Sequence, residues 1–260
     1  MDDDIATKKS LGQHWLNDQA SLRAMLQAAD VRSTDTVLEI GPGRGSLTAL
    51  LTESAKQVIA VELDAQLASQ LPKRVPAPNL RVISADILQF DFTSLPPRYK
   101  VVANIPYYLT SHLIRVLSET PNRPAAAALL VQKEVAARAA ADPGAMSLLS
   151  VTAQFYWRVE LGQLVPARLF TPPPKVDSQI LILNQAAHGL GEVDSKSFFR
   201  LVKAGFSQRR KTLLNSLSAG LHLSRDDTQA ICERASINPG RRAQTLSLDE
   251  WQQLYHALYN

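Results

Sequence analysis

Only one cysteine, Cys232, occurs in the 260 residues, so the chain cannot form an internal disulfide. No set of cysteines and histidines has the spacing of a zinc site, and a lone cysteine in a helical stretch reads as core. No apolar run approaches the roughly 18–20 residues that cross a bilayer. The first ten residues, MDDDIATKKS, are acidic and then basic, with no leader-like apolar segment. A reducing, cytoplasmic setting is therefore expected. One more absence is local: from Ser195 to Ser224 there is no acidic residue, while Lys196, Arg200, Lys203, Arg209, Arg210 and Lys211 are all basic. Such a run is either a solvated face or a surface for a polyanion, of which nucleic acid is the commonest.

What is present is a globular composition, 45% hydrophobic and 20% charged, with a net charge of +4. The length suits one sizeable domain and a smaller one. TVLEI (36–40), QVIAVEL (57–63), LRVISAD (80–86), KVVAN (100–104) and AALLVQ (127–132) are apolar or β-branched runs of strand length, separated by helical or loop segments. That alternation predicts an α/β fold with a doubly wound, mostly parallel sheet covered on both faces. Beyond about residue 145 the pattern changes. SLLSVTAQFYW reads as helix, RVELGQLV as strand, and FTPPPKVDSQILIL as a rigid proline loop entering a strand. From Asp194 the segments read as short helices, with SRDD (224–227) and SLDE (247–250) as Ser-x-x-acid starts, either capping boxes or near relatives of one. The expected division is an arm and α/β domain over 1–190 and a helical domain over 191–260.

EIGPGRGSLT (39–48) reads as a strand end, a glycine turn and a helix start. By itself this is either a plain connection or a ligand loop with close backbone approach. Three polar residues at later strand ends favour the ligand. Glu62 stands 21 residues after Gly41, where a carboxylate can accept both hydroxyls of a ribose; Asp86 can accept from an adenine amine; Asn104 follows. Open α/β sheets bind ligands at the carboxyl ends of their strands. The spacing is G-x-G-x-G, and Glu39 directly precedes the loop. A carboxylate is unfavourable beside a pyrophosphate and favourable beside a sulfonium and an ammonium, so the pattern points to S-adenosylmethionine rather than a dinucleotide. No Gly-Lys-Ser/Thr follows, which excludes a P-loop.

VVANIPYYLTS (101–111) ends a buried strand in an amide, a proline and two aromatics. Asn104-Ile105-Pro106-Tyr107 has the form used by methyltransferases that act on exocyclic amines. The Asn104 oxygen and the Ile105 carbonyl can accept from an adenine NH₂ and free its lone pair, while Pro106 fixes the backbone. Tyr107 supplies a stacking face for an extruded base, and Tyr108 is expected to cap the core. Asp64 reads as a helix cap rather than a ligand, and His14 taken alone reads as a surface residue.

With these residues assembled, the chain resembles the ribosomal RNA adenine N6,N6-dimethyltransferase family, nearest to its bacterial small-subunit (16S) branch. The likeness runs through KKSLGQHWL, LEIGPGRGSLT, AVELD, ADIL, NIPYYLTS, VQKEVAARAAADPG, LFTPPPKVDS, FSQRRKTLLNSL and INPGRRAQTLSLDEW, in that order. It implies a Rossmann-like S-adenosylmethionine-dependent methyltransferase sheet with a smaller C-terminal helical domain. It assigns cofactor contacts to His14, Leu16, Gly41, Glu62 and Asp86, with Asn104 between cofactor and target base and Gln13 helping to close the pocket; Glu39, Gly43 and Gly45 of the loop and Ile87 beside Asp86 complete the expected cofactor set. Phe170 matches an aromatic used against the flipped adenine and would form a clamp with Tyr107. A basic helix carrying Arg209, Arg210 and Lys211 would meet the RNA backbone. The implied partner is small-subunit rRNA in the immature 30S particle, met by a monomer without metal during ribosome biogenesis. Trp15 stands where the family usually has phenylalanine, and the segment at 142–147 is shortened. Two rivals share parts of this pattern: a large-subunit rRNA adenine methyltransferase of the macrolide-resistance type, and a non-catalytic RNA-binding assembly or transcription factor on the same fold.

Overall fold

The computed structural model describes residues 14–186 and 193–259. These fall into two compact units: the chain up to Ala136 together with Arg158–Gln185, and Ala137–Trp157 together with the chain from Ala186 onward. The sequence boundary at 190/191 leaves 137–157 with the first domain, whereas their contacts group them with the second. Among the described residues no helix is long and apolar enough to cross a membrane.

The first unit opens with β1 (Trp15–Leu16) and α1 (Gln19–Ala28), and then alternates as the apolar runs predict. The elements are β2 (Thr36–Ile40), α2 (Ser46–Ser54), β3 (Gln57–Glu62), α3 (Ala65–Arg74), β4 (Leu80–Ser84), β5 (Lys100–Asn104), α4 (Thr110–Glu119) and β6 (Ala126–Gln132). After α5 (Lys133–Ala139) and α6 (Leu148–Tyr156) come β7 (Trp157–Val165), β8 (Phe170–Thr171) and β9 (Ser178–Gln185). The large sheet has the order β4-β3-β2-β5-β6-β9-β7. Its first five strands are parallel neighbours and β9 adds antiparallel to β6. Val37, Leu38, Val58, Val101 and Val102 are wholly or almost wholly buried, as strands covered on both faces require. β4 closes one edge and is only partly buried.

Asp64 caps α3, accepting from Gln66 N–H at 2.9 Å, which matches its expected structural role. One pairing has no counterpart in the sequence pattern: β1 and β8 form a separate two-stranded antiparallel sheet, Trp15 opposite Thr171 and Leu16 opposite Phe170.

The second unit is built from α6, α7 (Ser195–Phe206), α8 (Leu213–Leu221), α9 (Arg225–Arg234) and α10 (Leu248–Tyr259). Its core is aromatic. Phe155 and Phe198 lie 4.7 Å apart, and Phe206 and Trp251 5.6 Å apart. Ser247 and Glu250 exchange backbone-to-side-chain hydrogen bonds of 2.8 and 3.1 Å, a full capping box that starts α10. Cys232 is buried, as a core cysteine should be.

Gly205, within α7, faces Trp251 so closely that an added Cβ would overlap the indole. Alanine would gain about 1 kcal/mol of helix propensity there, but the overlap costs roughly 1–3 kcal/mol. Gly205→Ala is therefore expected to lower the thermal unfolding midpoint; a raised midpoint would show that the indole yields freely.

Candidate active site

The strand order reverses at the pairing of β2 with β5, since β3 and β4 continue to one side and β6 to the other. At such a point successive connections leave on opposite faces and open a crevice at the carboxyl ends. Into this crevice β2 delivers Glu39 and the glycine loop, β3 delivers Glu62, the turn after β4 delivers Asp86, and β5 delivers Asn104. All of them line one cleft with Ile105, Pro106 and Tyr107. His14 and Leu16 of the arm line it too, as do Gly43 and Ile87.

Gly41 adopts φ +66, and a Cβ there would meet no protein atom within 4 Å. A side chain would be strained in conformation and would fill the cleft that Gly41 lines. Gly45 has a different reason to be glycine. It precedes α2 with φ +92, and a Cβ would come within 2.8 Å of Leu71 Cδ1 and 2.9 Å of Val75 Cγ2. It is absent from the cleft lining, so its expected cofactor contact is corrected to a packing role.

Two carboxylates occupy opposite electrostatic situations. Glu62 is held by backbone amides: Gly43 N–H donates to Oε2 at 3.1 Å and Asp64 N–H to Oε1 at 2.9 Å. Burial raises its pKa, and these two bonds pull it back. Glu39 is 1% exposed, and neither of its oxygens has a hydrogen-bond partner. Burial first, and then the Glu62 charge, push it up to about 8; the Thr48 hydroxyl offsets part of this without reaching hydrogen-bond geometry. Asp86 receives Leu88 N–H on Oδ1 at 3.0 Å, which fixes its orientation.

The arm closes over this set. Asn104 Nδ2 donates to the His14 main-chain oxygen at 3.1 Å. The His14 ring is stacked on Tyr107 with centroids 5.8 Å apart, and its Nδ1 is 2.7 Å from the Pro172 carbonyl. Tyr107 is half-buried, with its hydroxyl 2.8 Å from Ser178 Oγ. Trp15 lies against the glycine loop, with the Arg44 guanidinium 4.1 Å above its ring.

Several expectations change. Phe170 is 3% exposed and packs in a core cluster with Leu16, Leu22 and Met25, so its ring does not face the cleft as a stacking partner. Tyr108, expected to cap the core, is 64% exposed and lines the cleft beside Tyr107. Gln13 lies outside the described residues. Arg209, Arg210 and Lys211 are exposed, as expected, but they lie in the turn between α7 and α8 rather than on a helix. Two contributors went unread: the Trp15–Arg44 stack, and Leu63, an apolar residue 52% exposed at the cleft. An apolar residue directly after the acid that ends β3 was the available signal for Leu63.

The donor set fits S-adenosylmethionine. Glu62 and Asp86 retain lone pairs for hydroxyl and amine donors, Leu63 and Ile87 offer apolar contact, and the unpartnered Glu39 carboxyl, neutral in the free protein, is a group that a nearby cation would favour in its charged form. Glu39 also generates a test in the protein without cofactor. Its native pKa of about 8 exceeds the ordinary 4.5, so between those values the native state holds a proton that the unfolded chain has released. Stability from this group therefore falls as pH rises through that window. Glu39→Gln should flatten the decline in unfolding midpoint and outlast the parent at the alkaline end; an unchanged slope would contradict the assignment.

The family model described as ribosomal RNA adenine dimethylase matches residues 5–259. A ribosomal RNA small subunit methyltransferase A from Dehalococcoides mccartyi is 45% identical over 96% of this chain and 88% of its own. One from Clostridium botulinum is 38% identical, over 97% and 94%. Among solved structures, a dimethyladenosine transferase from Plasmodium falciparum superposes with TM-score 0.78 at 28% identity, covering 93% of this chain and 96% of that one. The 23S rRNA methyltransferase ErmE superposes with TM-score 0.76 at 29% identity, covering 95% and 100%. With a family match over nearly its whole length and relatives well above 30% identity, the chain belongs to the ribosomal RNA adenine dimethylase family.

Proposed function

We propose that this chain transfers methyl groups from S-adenosylmethionine to the N6 amines of two adjacent adenosines near the 3′ end of 16S rRNA, in the immature small subunit. The observation that carries this reading is the meeting of Asn104-Ile105-Pro106-Tyr107 with Gly41, Glu62 and Asp86 in one cleft. The relatives named for the small subunit favour that particle over the large one. We read the protein as cytoplasmic, where an rRNA substrate would be met during ribosome assembly, and as acting as a monomer without metal.

S-adenosylmethionine supplies a methyl carbon made electrophilic by its positive sulfur. The chain's own residues hold the cofactor and present the amine. Glu62 is oriented by two amides to accept ribose hydroxyls, and Asp86 to accept from the adenine of the cofactor. The lone pair of an adenine amine is delocalised into its ring. Accepting both N–H groups, at the Asn104 oxygen and a neighbouring carbonyl, draws that nitrogen toward tetrahedral geometry and frees the pair. The Pro106 carbonyl already accepts from Leu109 N–H at 3.0 Å, which leaves the Ile105 carbonyl as the freer acceptor for the second N–H. The exposed ring of Tyr108, beside Tyr107, gives the unstacked base an aromatic surface worth roughly 1–3 kcal/mol. An amine that has gained a methyl group is acidic enough to lose its proton to water, so positioning is the main catalytic contribution.

RNA affinity resides in the helical unit. Arg209, Arg210 and Lys211 follow directly on an exposed basic stripe of Lys196, Arg200 and Lys203 along α7, which lines a groove with Ser197 and Ser207. Among the described residues none of the six forms a salt bridge, so all are available to phosphates.

Labelled methyl from S-adenosylmethionine should appear as N6,N6-dimethyladenosine in immature small subunits; transfer to large-subunit RNA alone, or RNA binding with no transfer at all, would overturn the proposal. Asn104→Ala should lower turnover on the order of a hundredfold while leaving cofactor affinity largely intact. Equal losses in both would remove Asn104 from the amine. Neutralising Arg209, Arg210 and Lys211 together should weaken RNA binding and reduce the slope of log affinity against log salt by about 2–3, and an unchanged slope would take that turn out of the interface.

A further inference from the structure

The Asn104 amide has one donating and one accepting end, and either could face a substrate. Which one does so determines what chemistry the cleft recognises. The structure fixes the choice through a group that can only accept: Asn104 Nδ2–H donates to the His14 main-chain oxygen at 3.1 Å. A carbonyl cannot satisfy the Oδ1 end, so the reversed rotamer would set two oxygens against each other in a half-buried site. With the nitrogen committed to His14, the oxygen is the end left for the cleft, and it matches a target that presents N–H donors.

The residue that carries this carbonyl is held at three points. The His14 ring lies against Tyr107 at 5.8 Å between centroids, and its Nδ1–H donates to the Pro172 carbonyl at 2.7 Å. The following residues, Trp15 and Leu16, pair with Thr171 and Phe170. Leu16 is then buried at 3% in the core cluster that also holds Phe170.

We propose that His14 is a positioning residue for catalysis: its main-chain oxygen sets the Asn104 amide with Oδ1 toward the target amine, and its ring, bound to Pro172 and resting on Tyr107, keeps that oxygen in place. The inference rests on the reading of Asn104 as the residue that accepts from the amine. It gives the arm a role in recognising the base, separate from any contact that His14 makes with the cofactor. It also assigns the rejection of targets that present only acceptors to a backbone group outside the NIPY stretch.

The test compares His14→Ala, Asn104→Ala and the double variant at saturating cofactor and RNA. His14→Ala is expected to lower turnover roughly tenfold to a hundredfold, with a much smaller change in the cofactor dissociation constant. Because His14 acts through Asn104, the double variant should be no slower than Asn104→Ala alone. Losses that multiply in the double variant, or a His14→Ala defect confined to cofactor affinity, would overturn the inference. Asn104→Asp gives an independent reading. Both of its oxygens can accept from an amine, but it has no N–H for the His14 carbonyl, so its turnover should fall; wild-type turnover would overturn the proposal. If His14→Ala does not fold, His14→Phe keeps a ring on Tyr107 and loses only the link to Pro172. It should show the same non-additivity with a smaller loss, and full additivity would count against the role. Full activity in Asn104→Ala would bring down the reading of Asn104 itself, whereas an inactive Asn104→Ala beside a fully active His14→Ala would bring down only the positioning role.

Discussion

The parallel pairing of β2 with β5 is the constraint on which the site depends. It brings Val37, Leu38 and Glu39 into register with Lys100, Val101 and Val102, so both strands end at the same edge of the sheet. Because the chain order reverses there, no connection crosses the opening. Everything with chemical function then arrives by short extensions of buried strands. Their apolar residues fix the register, and the register fixes the spacing between the acids and the amide. A one-residue slip of β5 would turn Asn104 to the other face of the sheet.

Within this frame the glycine loop and the arm meet from opposite directions. Gly43 N–H orients Glu62, and Trp15 of the arm covers the loop under the Arg44 guanidinium. A cation over an indole is favourable where water is partly excluded. Glu39 is the costly member of the arrangement, a buried carboxylate without a partner beside a second acid. Such a group destabilises the free protein. Its place in the buried lining of a cleft suited to a cation gives that cost a binding purpose, which a purely structural role would not.

The sequence was most informative where burial acts on long segments. Five parallel strands were legible because a strand covered on both faces is a continuous apolar run, and SLDE was legible because a capping box has a fixed spacing. The acids at the strand ends followed from the same logic. β1 and β8 were not legible: two residues have no periodicity, and their pairing joins positions about 155 residues apart. Phe170 was misread because a motif match carries a role without carrying burial, and the ring is used by the core around Leu16. Tyr108 departed from its expected place in the core for a related reason. The chain tightens into a 3₁₀ turn at residue 107, and that turn decides which ring faces outward. The basic segment at 207–211 looks helical by composition, and it forms the turn between α7 and α8 instead.

The two-residue ladder between β1 and β8 has a structural consequence. It has few backbone bonds, but its paired residues Leu16 and Phe170 are both buried in one core cluster, so side-chain burial anchors it. The same strap touches the loop beneath Trp15 and the amide of Asn104. One short strap thereby supports both the glycine loop and the amide, so the cofactor side and the target side of the cleft share a single foundation in the core.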